Sequence, residues 1–189
     1  FMDREIVNNI KSLAIDMIDN AGSGHPGIAL GAASIIYTLY AKHMNVMASD
    51  PNFENRDRFV LSAGHGSALL YSTLYMAGFD LTIDDLKNFR RLNSKTPGHP
   101  EYGVTPGVDV TTGPLGQGIA TAVGMALALK MKNKKYSLPK KSKLGKEQSL
   151  FDNYVYVLCG DGDLMEGVSY EATSLAGSLN LNNLIVLYD

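Results

Sequence analysis

The sequence predicts an α/β fold built on a parallel sheet, and three observations carry that prediction. Tyr154-Val155-Tyr156-Val157-Leu158-Cys159 is a short run of β-branched, aromatic and apolar residues, the length of a strand. Apolar residues then recur at Met165, Val168, Ala172, Leu175, Ala176 and Leu179, the spacing of one helical face. After the polar interruption from Asn180 to Asn183, Leu184-Ile185-Val186-Leu187-Tyr188 reads as a second buried strand. Strand, helix and strand at this length form a βαβ unit, whose two strands run parallel with a right-handed crossover.

The remaining elements follow in chain order. Ile6, Ile10, Leu13, Met17 and Ile18 mark an amphipathic first helix, closed by Ala21-Gly22-Ser23-Gly24. Leu30 to Met44 reads as a helix apolar nearly all round, a pattern of deep core or interface, and His43 on it belongs to the same category. Met47 to Arg58 is polar linker. Phe59-Val60-Leu61-Ser62 is a candidate central strand with Ala63-Gly64-His65-Gly66 as its exit. Leu69 to Met76 is helical, and Thr82-Ile83-Asp84-Asp85 resembles a capping start for a helix running to Arg91. From Leu92 to Gly118, glycine and proline forbid regular structure, and a loop of that length usually has a function. Ile119 to Met131 returns to a helical pattern with small residues able to pack closely. Lys130 to Lys146 holds eight lysines, and with Tyr136 as its sole aromatic it reads as a solvated surface segment rather than a nucleic-acid patch.

Composition narrows the function. A chain of 189 residues fits one domain that buries roughly 70% of its unfolded surface. A net charge of −2 gives no global attraction to nucleic acid or anionic membrane. The single cysteine forms no internal disulfide and fits a reducing compartment. Asp3, Arg4 and Glu5 come too early for a secretory or transit signal, and no apolar stretch is long enough to span a bilayer, so the expected location is cytoplasmic. The chain stops at Asp189 directly after a strand, where an α/β domain normally continues into a ligand-bearing loop. The expectation is a piece of a longer protein.

The chemistry centres on Gly160-Asp161-Gly162, between a strand's carboxyl end and a helix start, where open α/β sheets bind ligands. Two glycines let the backbone approach a ligand, and free N–H groups at a helix start suit a phosphate. A carboxylate facing phosphate is repelled unless a divalent cation lies between them, and Mg²⁺ held by a carboxylate and phosphate oxygens resolves the conflict. The alternative is a tight turn capped by an aspartate. Three of the four histidines, His25, His65 and His99, sit in glycine-flanked loops, where imidazoles either satisfy backbone carbonyls or share a polar, proton-moving site. Metal-ligand spacing is missing from the histidines, and nothing near Cys159 in the sequence activates a thiol.

Five motifs, in order, carry a resemblance. They are Ser23-Gly24-His25-Pro26-Gly27, Ser62-Ala63-Gly64-His65, Thr96-Pro97-Gly98-His99-Pro100-Glu101, Thr111-Thr112-Gly113-Pro114-Leu115-Gly116-Gln117-Gly118, and Gly160-Asp161-Gly162 followed by Glu166-Gly167. Together they resemble the amino-terminal diphosphate-binding domain of the transketolases over nearly all 189 residues. The resemblance implies a thiamine-diphosphate-binding fold, a parallel sheet with helices on both faces, incomplete at the C-terminus, with the pyrimidine-binding and C-terminal domains absent. It implies transfer of a two-carbon ketol unit from a ketose phosphate to an aldose phosphate by a cytoplasmic homodimer using thiamine diphosphate and Mg²⁺ or Ca²⁺. The related deoxyxylulose phosphate synthases share the general plan.

By resemblance, Asp161 would ligate the cation and the Gly162 N–H would touch a phosphate oxygen. Gly113, Pro114 and Leu115 would line the cofactor and His65 would reach its diphosphate side. His25 and His99 would act at the reacting carbon and hold substrate hydroxyls, and Glu166 and Glu171 match carboxylates near the family's dimer interface. An asparagine metal ligand and a backbone carbonyl of the family's pattern would fall just beyond Asp189. Asp163 is an extra carboxylate where the family more often has a small residue, and is expected to point to solvent. Two rivals explain fewer motifs: a non-enzymatic phosphate- or nucleotide-binding module, and a Mg²⁺-dependent phosphohydrolase using Asp161.

Overall fold

The structure is a computed structural model that describes residues 2–136 and 151–189. Its centre is a parallel three-stranded sheet in the order β1-β2-β3, formed by β1 (Arg58–Leu61), β2 (Val155–Cys159) and β3 (Leu184–Tyr188). Register pairs Arg58 with Val155 and Val155 with Leu184. The alternation of side chains across a strand divides the core into two layers. Phe59, Leu61 and Leu158 face one layer with the early helices, while Val60, Val155, Val157 and Cys159 face the other with the later ones. Helices therefore cover both faces, as expected.

The first layer is built by α1 (Met2–Ala21), α2 (Pro26–Gly31), α3 (Ala33–Lys42), α4 (Ser67–Met76) and α5 (Ile83–Lys87). Ile10, Ala14 and Met17 bury the stripe of α1, which packs most extensively on α4. Its end is set by Gly22, whose φ of +67° is the left-handed conformation glycine adopts after a helix. α4 is buried from Ser67 to Leu74, and burying a side chain the size of Leu69 or Leu74 contributes about 1.5–3 kcal/mol. The second layer holds α6 (Gln117–Tyr136), α7 (Asp161–Met165) and α8 (Gly167–Ser178), with Ile119, Ala122, Val123 and Ala126 of α6 seated on the sheet.

Several expectations need correction. The apolar helix expected from Leu30 to Met44 is two helices meeting at Ala32, and the first starts at Pro26, whose fixed φ suits a first helical turn. His43 is exposed at the end of α3 rather than in the core. The Thr82 cap forms as a reciprocal capping box with Asp85 (2.8 and 3.1 Å), but α5 stops at Lys87. Arg90 takes a φ of +62° and gives its N–H to Thr96 O, so the helix cannot run on to Arg91. β1 lies at the sheet's edge and β2 holds the centre. β3 is only partly buried: Leu184 and Leu187 pack against the two core layers while Ile185, Val186 and Tyr188 are exposed. The crossover helix breaks at Glu166; Met165, Leu175 and Leu179 are exposed while Ser169 and Ala176 face the core. The lysine-rich segment is helical to Tyr136, and its remainder lies outside the described residues. Among the described residues no helix is long and apolar enough to cross a membrane.

Candidate functional site

Three loops meet at the carboxyl ends of β1 and β2, and glycine permits the meeting. A Cβ on Gly64 would lie 2.7 Å from Thr112 Oγ1 and 2.8 Å from the Gly113 nitrogen, so the β1 exit touches the 112–118 loop directly. Gly116, with φ +81°, would place a Cβ 2.7 Å from that of Glu166, which brings the same loop against the break between α7 and α8. Neither contact survives a side chain.

The side chain at the middle of this junction is Asp163. It is fully buried, contrary to the expectation that it faces water. Its Oδ1 accepts from Ser62 Oγ (2.8 Å) and from the Gly116 N–H (2.9 Å), and its Oδ2 accepts from the Gly160 N–H (3.0 Å). Ser62 Oγ in turn accepts from the Ile119 N–H at 3.0 Å. Burying a carboxylate is costly unless its lone pairs find donors, and here three donors come from three different loops. The one signal in the sequence is position: an acidic residue three after a helix N-cap can reach back to the N-cap N–H, which is the Gly160 contact.

Asp161, two residues earlier, points the other way. It is exposed at the β2 exit, and its Oδ1 accepts from the Gly162 N–H at 2.8 Å. A Cβ on Gly162 would come within 2.9 Å of Leu115 Cδ1, so Leu115 of the 112–118 loop overhangs the Gly-Asp-Gly turn. Gly113, Pro114 and Leu115 are accessible along this overhang.

The three histidines come to the same end of the sheet. The His25 and His65 rings meet edge to face with centroids 5.0 Å apart. His99 lies against Gly113, whose Cβ would sit 3.5 Å from its Cδ2. His65 is held below the ordinary imidazole pKa by burial first and by His25 second, with His99 adding to the lowering and Asp163 and Asp161 pulling the other way. His99 is lowered by burial, then by the Arg90 guanidinium and by His25. Both rings are thereby neutral near pH 7, and a neutral imidazole carries one donor and one acceptor.

His99 sits on an irregular loop that side-chain hydroxyls tie down. Ser67 Oγ donates to Gly98 O (2.7 Å), Tyr71 OH to Pro97 O (2.9 Å), and Thr96 Oγ1 to Asp85 O (2.7 Å). Further along, Asp109 pairs with Arg56 at 2.6 Å and accepts from the Phe59 N–H at 2.9 Å, fixing the loop to β1. Arg90 stands beside His99 with its Nη1 3.5 Å from Ser23 Oγ. An open hollow of about 540 Å³ lies between His99, Glu101, Tyr102 and the Thr111–Pro114 stretch. Cys159 is buried and burial pushes its thiol up to about 12, so it is no nucleophile. Glu166 and Glu171 are both exposed on the α7–α8 side.

These residues fit a metal-bridged diphosphate. Among the described residues no group of three or more His, Cys, Asp or Glu is placed to hold a cation, and the exposed Asp161 carboxylate is a hard oxygen donor of the kind Mg²⁺ takes alongside diphosphate oxygens. Thr112 Oγ1 is buried without a partner in the seam beside Gly64 and Gly113, a cost a hydrogen-bonding ligand removes. The structure brings Asp161, Gly162, His25, His65, His99 and the 113–115 stretch, all marked by sequence motifs, to one end of the sheet. Ser62 and Thr112 lie inside the motifs while Asp163 and Arg90 do not, and what each of the four does there is set by tertiary contacts that the motifs do not state.

Comparison with known proteins agrees. The family model described as "Transketolase, thiamine diphosphate binding domain" matches residues 2–189. The transketolase of Bacillus subtilis is 58% identical over 188 residues, covering 100% of this chain and 27% of that protein. That of Aquifex aeolicus is 56% identical over 188 residues, covering 100% of this chain and 26% of that protein. A crystal structure of a transketolase variant from Pichia stipitis superposes with a TM-score of 0.93 at 50% identity, covering 100% of this chain and 27% of that one. A further crystal structure of the Pichia stipitis enzyme is a complex with sedoheptulose 7-phosphate, with 51% identity, a TM-score of 0.92, and coverage of 99% of this chain and 26% of that one. The chain thus spans about a quarter of the length of the relatives it matches. On fold, motifs and identity together, the chain belongs to the transketolase family, as its thiamine-diphosphate-binding domain.

Proposed function

We propose that the protein carrying this domain transfers a two-carbon ketol unit from a ketose phosphate to an aldose phosphate, working in the cytoplasm as a homodimer. The observation that carries this reading is the convergence of His25, His65 and His99 on the loop that overhangs Asp161 and Gly162. Asp161 would hold Mg²⁺ or Ca²⁺, and the Gly162 N–H, which donates to the Asp161 carboxylate in this structure, would donate to a phosphate oxygen. Gly113, Pro114 and Leu115 would line the cofactor, and His65 would face its diphosphate side. Thiamine diphosphate, when bound, supplies the electron sink for carbon–carbon bond cleavage. His25 and His99 would hold substrate hydroxyls and move protons at their oxygens, and a neutral imidazole such as His99 suits that role near pH 7. Glu166 and Glu171 would meet a second subunit.

In this reading residues 1–189 form one diphosphate-binding domain, and the polypeptide of these residues alone shows no turnover, because its site is a wall open to solvent. A coupled assay with xylulose 5-phosphate and ribose 5-phosphate tests both statements. Turnover by the whole protein and none by the 189-residue chain is expected. Turnover by the isolated chain overturns the second statement, and a whole protein inert toward all ketose donors overturns the first.

A further inference from the structure

Asp163 has no part in the function just proposed, yet it is the best-connected polar side chain at the junction. Each of its three hydrogen bonds ends on a segment that carries a cofactor-facing residue. Gly116 follows Leu115, Gly160 precedes Asp161, and Ser62 stands three residues before His65. One carboxylate therefore fixes the spacing of the overhanging loop, the Gly-Asp-Gly turn and the histidine-bearing exit of β1. Its two oxygens reach in different directions, Oδ1 to the loop and the β1 exit, Oδ2 to the β2 exit. The backbone adds a second tie, since Ser169 Oγ donates to Asp163 O and anchors the start of α8 to the same residue.

We propose that Asp163 is a positioning residue for thiamine diphosphate. Its buried carboxylate holds the 113–116 loop in register with Asp161 and Gly162, so that the cofactor pocket exists before the cofactor arrives. The proposal rests on the cofactor reading above. Its physical basis is preorganisation: a loop already held in place loses less freedom when a ligand binds, so releasing it weakens binding without touching the ligand. A carboxylate is required here because all three partners are donors. An amide of the same shape turns one acceptor into a donor that faces either the Gly160 N–H or the Ser62–Gly116 pair.

The test uses the full-length protein that carries this domain, prepared free of cofactor, as wild type, D163N and S62A. S62A leaves the carboxylate its two amides, removing one donor to it and the acceptor of the Ile119 N–H, and serves should D163N fail to fold. Calorimetric titration with thiamine diphosphate at saturating Mg²⁺ gives Kd, hydrogen exchange reports the 113–118 and 160–162 amides without cofactor, and KM for the sugar phosphates is measured at saturating cofactor. For D163N we expect Kd weakened about tenfold or more, faster exchange at Gly116 and Gly160, and sugar KM within about twofold of wild type. S62A is expected to show the same pattern at about threefold in Kd. A merely structural Asp163 would lower the unfolding midpoint and leave Kd where it was, which overturns the proposal. So does a sugar KM that shifts as far as the cofactor Kd. If D163N does not fold, an unchanged Kd in S62A overturns the proposal and a weakened one upholds it. Failure of the wild type to bind the cofactor overturns the cofactor site itself and the proposal with it. Binding by wild type with indifferent variants overturns the role of Asp163 alone.

Discussion

Two glycines in one helix should respond to alanine with opposite signs. Gly118 lies in the first turn of α6, where an added Cβ would meet Ser62 Cα at 2.4 Å and Ser62 Cβ and Oγ at 2.7 Å. Carbon atoms rest about 3.5–4.0 Å apart, so the helix or the β1 exit must retreat by about 1 Å, and the nearest obstacle is backbone. Overpacking of this kind costs about 1–3 kcal/mol, against a helix-propensity gain of about 1 kcal/mol for replacing glycine by alanine. Because the clash is with a Cα that cannot rotate aside, G118A should lose about 1–2 kcal/mol net. Gly124 is exposed in the same helix with nothing within 4 Å of its Cβ position, so G124A keeps the propensity gain and should gain about 0.5–1 kcal/mol. Urea unfolding of the 189-residue chain, followed by far-UV circular dichroism, measures both, and equal m-values confirm that the shift lies in stability. The two variants should straddle wild type and differ by about 2 kcal/mol. A G118A variant as stable as G124A would refute the close approach of α6 to Ser62, and with it the packing that delivers Ser62 to Asp163.

Two further outcomes follow from titrating groups. His65 and His99 have pKa values depressed by burial, so below about pH 6.5 the unfolded chain takes up protons that the folded chain refuses. The stability these groups contribute is full above about pH 6.5 and is lost as pH falls through the two depressed values; the urea midpoint should fall as pH is lowered below about 6.5 and fall less in a H65Q/H99Q variant. An identical pH dependence in the double variant contradicts the assignment. Cys159, buried with its thiol raised to about 12, should resist a thiol reagent in native buffer and react only as the chain unfolds. Rapid stoichiometric labelling of the folded chain would show that β2 is not covered as described.

Much of this architecture is legible in the sequence because local rules and tertiary packing agree there. The strand at Val155, the crossover to Leu184 and the Thr82 capping box are each written in a few adjacent residues. So is the place of the candidate site, since a strand exit in an α/β sheet is where ligands bind and the glycine-flanked histidines mark further loops of that kind. What escapes depends on contacts distant in sequence. The periodicity that counts Met165 with the stripe of the following helix fails because Glu166 takes an extended ψ of 138° and starts a new helix with a new phase. β1 looks central by its apolar run, but its order in the sheet is decided by which strand β2 pairs with on each side. Asp163 looks like a solvent-facing oddity in the sequence because the Gly116 amide and the Ser62 hydroxyl that donate to it lie 47 and 101 residues away.

The central claim is that Asp161 faces a diphosphate only through a divalent cation. Titrating Mg²⁺ and thiamine diphosphate into the full-length protein, as wild type and as D161N, tests it most directly. Asp161 is exposed and its carboxylate accepts from the neighbouring Gly162 N–H, so D161N should unfold at the same urea concentration as wild type. Wild type should bind the cofactor in the presence of Mg²⁺ and lose that binding to a chelator, while D161N should bind about a hundredfold more weakly at any Mg²⁺ concentration. Binding by D161N at wild-type affinity, or binding by wild type indifferent to the chelator, would contradict the account.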